Sequence, residues 1–152
     1  MSLSGSSVEV ATFVGQSAQA SVTIWNSGGS RLTGSASVGA PFSLVSGGSF
    51  SLNPGQPQEI VVRFAPGAAG GYNANLQISS NGGNQSVALR GGTITVSPAS
   101  LSYTAFVDSP QEQKITLKND GPVAATVNLG QVSAPFAFKS AGGVYSSAAL
   151  EL

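Results

Sequence analysis

The side chains that carry most protein chemistry are scarce in this sequence. It has no histidine and no cysteine, which removes the usual nucleophile–base pairs, thiolate metal sites and disulfides. The carboxylates are Glu9, Glu59, Asp108, Glu112, Asp120 and Glu151, and none form a DxD-like pair or a calcium-loop cluster. Asp108 and Glu112 flank Pro110 and read as a solvated turn. The glycine pairs at 28–29, 47–48, 82–83 and 142–143 lack the lysine and helix that complete a phosphate cradle, and they read as turns. Asn84-Gln85-Ser86 spells a glycosylation sequon and reads as a turn as well. No catalytic residue, metal site or cofactor is expected, and the chain reads as non-enzymatic.

Two residues carry a binding alternative. Trp25 runs out of phase with Val22 and Ile24, so it faces away from the core side of its strand. An exposed tryptophan stacks on a sugar ring or anchors a protein partner. The structural alternative is a ring packed under a loop or against a neighbouring unit. Arg31, like Arg63, belongs on the surface or at an interdomain contact. Trp25 and Arg31 are therefore the candidate partner- or glycan-contact residues.

Composition narrows the partners. Of 152 residues 41% are hydrophobic and 8% charged, and six basic residues cancel six acidic ones. A surface without net charge sets up no long-range field for phosphate backbones or anionic lipid, so neither nucleic acid nor a membrane surface is expected as partner. No run reaches the ~18 apolar residues of a membrane helix, and no basic-then-apolar leader opens the chain. Met1-Ser2-Leu3 looks like a start added ahead of an internal boundary. Solubility rests on Ser, Thr, Asn, Gln and Gly, a habit of secreted and cell-surface β-proteins, which points to an extracellular, cell-surface or periplasmic location.

The elements that position these residues are strands. Period-2 alternation places Ala20, Val22 and Ile24 on one face, and Ile60, Val62 and Phe64 on one face with Arg63 opposite. Asn75–Ile78 and Ser86–Leu89 repeat the pattern around Asn81-Gly82-Gly83-Asn84, a hairpin signal. Twenty glycines and eight prolines interrupt any helical pattern, at about 1 to 3 kcal/mol each inside a helix. Short strands between Gly, Pro and Asn turns predict an all-β immunoglobulin-like sandwich.

The chain also repeats itself. Phe13–Gly28 aligns with Phe106–Gly121: Thr23 meets Thr116, and Asn26 meets Asn119 at an offset of 93 residues. Ala40-Pro41-Phe42 then matches Ala134-Pro135-Phe136 with one inserted residue. The expectation is one complete unit over 1–92 and the front part of a second, truncated unit over 93–152. Gly91-Gly92-Thr93 reads as a short linker that holds tandem units as a semi-rigid rod. Ile94–Pro98 reads as an opening edge strand, and its counterpart looks to be missing from the first unit. Half a sandwich leaves an apolar face and open edges, so the chain is expected either to pair with a second copy through 93–152 or to leave that region poorly ordered.

Asn26-Ser27-Gly28-Gly29, Leu32, Phe42 and Phe50–Gly55 are followed by Ile60–Pro66, Gly71-Tyr72, Leu76, Ile78-Ser79-Ser80, Val87-Ala88-Leu89 and Gly91. As a set they resemble the ASH (abnormal-spindle/hydin-type) immunoglobulin-like domain family, over about residues 8–92 and, through its front half, 94–145. Physically, Pro54-Gly55 suits a tight turn, Tyr72 a corner with a bonded hydroxyl, and Asn26 and Asn119 Asx turns. The resemblance implies an interaction module of the kind found in ciliary and centrosomal proteins and in repeat-rich bacterial surface proteins, related in shape to major sperm protein and periplasmic pilus chaperones.

The function expected is a structural or protein-interaction module in a tandem-repeat bacterial surface or secreted protein, with other protein domains or neighbouring repeats as partners. A carbohydrate-binding or adhesin module is the alternative, resting on Trp25, Tyr72, Tyr103 and Tyr145. A ciliary or cytoskeletal scaffold is a second alternative, carried by the resemblance alone. Aromatics gathered on one exposed sheet face favour the carbohydrate reading; dispersed or buried ones favour the first.

Overall fold

Alternating sequence becomes two facing sheets. The computed structural model describes residues 1–130, 132–140, 143–145 and 149–151, with side chains described as far as residue 137. No helix occurs among them. The chain is all-β, an immunoglobulin-like sandwich.

One sheet runs β1 (Ser2–Leu3), β3 (Ala18–Trp25), β7 (Pro57–Phe64), β5 (Phe42–Ser46). The facing sheet is built on β9 (Gln85–Ser97), followed by β8 (Gly71–Ser80), β4 (Leu32–Ser37) and β6 (Ser49–Leu52). On the other side of β9 lies β2 (Ser7–Phe13), parallel to it, with Val8 opposite Leu89 and Phe13 opposite Ile94. The residues that alternate in sequence are those that meet between the sheets. Val22, Ile24, Ile60, Val62, Phe64, Leu76, Ile78, Val87 and Leu89 are all buried in one core. Each contributes on the order of 1.5–3 kcal/mol relative to an exposed position. Phe64 anchors the centre, stacked on Phe42 at 4.8 Å and met edge-on by Tyr72 at 5.5 Å.

The expected β8–β9 hairpin is present, with Leu76 opposite Val87 and Ile78 opposite Gln85. Its turn places Gly83 at φ 103°, where a side chain would strain the backbone. Tyr72 makes the corner bond, its hydroxyl donating to the Ala68 carbonyl at 2.8 Å.

Two sequence expectations need correction. The opening strand of the first unit is present: Ser2 pairs with Trp25 and Leu3 with Ile24, and Ser4 N–H donates to the Thr23 carbonyl. Two residues are too short a run to show period 2, which hid the strand in the sequence. The second correction concerns Gly91-Gly92-Thr93, read as a linker. These residues lie inside β9, hydrogen-bonded to β2 and β8, so the boundary expected between 92 and 93 falls within a continuous strand. Glycine fits there because a Cβ at position 91 would lie 2.5 Å from the Phe64 ring.

Beyond Thr93 the same strand runs on to Ser97. β10 (Thr116–Asn119) pairs antiparallel with its end, Lys118 opposite Thr95 and Leu117 opposite Val96. At the offset of 93 this is the register of β3 on β1. A small second core holds Ile94, Ala125 and Val127 with Leu117, Leu129 and, from β2, Ala11 and Phe13. β11 (Thr126–Asn128) pairs with β14 (Ala149–Glu151), and β12 (Phe138–Ser140) with β13 (Gly143–Tyr145). Residues 100–106, the counterpart of β2, form no strand. Phe13 and Phe106 therefore part company, one packed in the second core and the other 85% exposed.

Candidate functional site

Trp25 ends β3 on the face turned away from the core, between Ser2 and Pro57 in register. Its exposure of 36% leaves part of the ring free and part covered. Arg31 is exposed in the loop after it, and its carbonyl accepts from Asn81 Nδ2 at 3.0 Å. Tyr72 is committed to Phe64 and Ala68, whereas Tyr103 packs on Phe136 at 5.7 Å in the second unit. The Tyr145 side chain lies outside the described ones. Trp25, Tyr72 and Tyr103 thus belong to three separate surroundings and build no common stacking face. Among the described residues no three of His, Cys, Asp and Glu gather closely enough to hold a metal ion. No described helix is long and apolar enough to cross a membrane.

What the fold does assemble is a junction between the repeats. Asn26 follows β3 directly, at 2% exposure. Its Nδ2 donates to the Ser30 carbonyl at 2.7 Å and the Leu52 carbonyl at 3.0 Å, while Oδ1 accepts from Gly28 N–H at 3.0 Å. Asn119 repeats this turn: Nδ2 donates to the Val123 carbonyl at 2.9 Å and Oδ1 accepts from Gly121 N–H at 3.1 Å. Unlike loop 26–30, loop 119–123 is seated on the first unit. Asp120 N–H donates to the Thr93 carbonyl at 2.8 Å, and Val123 is buried. Thr93 is fully buried, and its Oγ1 both accepts from Gly70 N–H at 2.7 Å and donates to the Gly70 carbonyl at 3.1 Å.

A charged cluster braces the outer side of the junction. Thr95 Oγ1 donates to Asp120 Oδ2 at 2.6 Å, and Lys118 Nζ pairs with Asp120 Oδ1. The bond from Lys118, and after it the one from Thr95, favours the ionised carboxylate and holds Asp120 below its ordinary range. Sequence reading singled out neither Thr93 nor this cluster. The signal available was the repeat itself: Thr95, Lys118 and Asp120 are the counterparts of Ser2, Trp25 and Ser27 at the offset of 93.

No protein-family description matches the sequence, and no curated protein does. Solved structures do. The ASH/PapD-like domain 7 of human CEP192 superposes with a TM-score of 0.52 over 59% of this chain and 82% of its own, at 15% identity. A Porphyromonas gingivalis W83 protein of unknown function gives 0.51 at 18% identity, over 59% of this chain and 44% of its own. The chain thus contains an immunoglobulin-like sandwich of the ASH/PapD-like kind. The CupB2 chaperone of Pseudomonas aeruginosa aligns over 99% of this chain and 82% of its own, with a TM-score of 0.49 and 12% identity. For the CEP192 and Porphyromonas gingivalis structures, at 15% and 18% identity, the likeness is one of fold, and it agrees with the ASH-type pattern in the residues.

Proposed function

We propose that this chain is a non-enzymatic structural and protein-interaction module of a tandem array, in which each ASH-like unit hands its last strand to the next. The single observation that carries this is β9. Its front half closes the first sandwich against β8 and β2, and its end receives β10 in the register that β1 offers β3. A strand shared between units transmits orientation, because bending there breaks ladder bonds and exposes the second core. The array belongs on a bacterial surface, in secretion or in the periplasm, a placement supported by a chain only 8% charged that relies on Ser, Thr, Asn, Gln and Gly for solubility.

Partners are other protein domains and neighbouring repeats. Association with a second copy through 93–152 is supported by Phe106, Val107 and Phe136, which are 85%, 92% and 56% exposed. Light scattering over a concentration series checks it: a mass of one chain at all concentrations removes that partner. The carbohydrate reading has no support from a shared aromatic face. For the array itself, ¹⁵N relaxation on the full chain is decisive. Amides of β3, β7 and β8 and amides of β10 and β11 should report one common tumbling time. Two separate times, with the shorter for β10 and β11, would show a flexible tether and end the proposal.

A further inference from the structure

Gly121 is a glycine because of a neighbour. A Cβ there would lie 2.3 Å from Gly92 Cα, and one on Gly71 would lie 2.6 Å from Pro122 Cδ. The backbone at 121 is outside the left-handed region, so its own turn makes no such demand. Gly28 holds the same place in the first unit, with the same asparagine turn before it, and is likewise outside that region. Yet a Cβ at 28 would meet, within 4 Å, only Asn26 Oδ1 of its own loop, at 3.4 Å. Residues 27–31 are exposed throughout. The first unit thus carries the contact face of the second, with the same turn and an open glycine, and no described residue seated on that glycine.

We infer that β1, Trp25 and loop 26–30 form the docking face for another unit of this kind, which presents a neutral, glycine-rich edge like Gly70-Gly71 and Gly92-Thr93. This rests on the tandem-array reading and names its surface. The occupant follows from the interface the chain already contains: Gly121 lies against Gly92, and Pro122 against Gly71. Gly28 takes the place of Gly121 against the incoming strand, and Gly29 and Ser30 take the places of Pro122 and Val123. Trp25 stands where Lys118 stands, beside Ser27 in place of Asp120. At this position the first unit carries a ring 36% exposed where the second carries the Lys118–Asp120 ion pair, whose lysine side chain is itself 72% exposed.

The test grafts one face onto the other within the full chain. The triple variant Lys118→Trp, Asp120→Ser, Pro122→Gly gives the second unit the loop of the first while leaving Val123 in the core. Amide exchange of Thr93–Val96 is read against that of β7 and β8, which reports whether the first unit is intact. Protection at 93–96 should stay within about tenfold of the unmodified chain, and adding Gly121→Ala to the triple variant should abolish it. Gly28→Ala in the full chain should leave exchange everywhere within about threefold. Loss of 93–96 protection in the triple variant, with β7 and β8 still protected, overturns the inference. So does accelerated exchange of the first core in Gly28→Ala, which would show that the first unit itself demands that glycine. Absence of protection at 93–96 in the unmodified chain would instead remove the array reading, and this inference with it.

Discussion

Asn26 Nδ2 lies between two carbonyls from different parts of the chain, Ser30 and Leu52, and at 2% exposure water cannot replace it. Asn26→Ala should cost about 2–4 kcal/mol in urea denaturation, since two buried acceptors lose their donor together. Thr93→Val keeps shape but strands Gly70 N–H, and should cost about 1–3 kcal/mol. Trp25→Ala should cost about 1–2 kcal/mol, less than the roughly 3–5 of a fully buried aromatic such as Phe64, because part of the ring is already in water. Asp120 supplies a pH test. Its folded pKa is lowered, chiefly by Lys118 and then by Thr95. Its contribution is therefore present above the unfolded carboxylate value and lost as pH falls through the folded one. A ¹³C titration should place the Asp120 midpoint below 3.8, and Thr95→Val should move it upward. The outward phase of Trp25 was legible in the sequence because it needs only alternation. The role of Thr93 was not, because a buried threonine and a linker threonine differ only in what lies across from them.

Four strands of the first sandwich, β3, β7, β8 and the front of β9, were readable for the same reason: their cores alternate over four or more residues, a pattern that β2, β4, β5 and β6 did not announce. β1 and the continuity of β9 were not readable. A two-residue strand has no period, and Gly91-Gly92 resembles a linker until the close approach of the Phe64 ring and of Gly121 explains both glycines. The counterpart of β2 failed in the opposite way. Residues 100–106 align with a strand but form none, since a strand is fixed by its partner as much as by its own pattern. β1 yields the test at this scale. Leu3 packs against the main core, so Leu3→Asp should destabilise the first unit by about 2–3 kcal/mol. An unchanged thermal midpoint would show that β1 contributes nothing to the sandwich.

As a whole the molecule is an immunoglobulin-like sandwich whose last strand, β9, runs on to pair with β10. The second core draws on β2 and β9 of the first unit as well as on its own residues, so the repeats share hydrophobic contacts and not just a covalent joint. The repeat in the sequence implies two units; that β9 runs unbroken across the joint expected between them is visible only in the structure. Amide exchange across Gly91–Ser97 in the full chain tests that claim most directly. The account predicts protection continuous with that of Val87–Arg90, falling off only beyond Ser97. Free exchange at Gly91–Ser97 beside a protected Val87–Arg90 would contradict it.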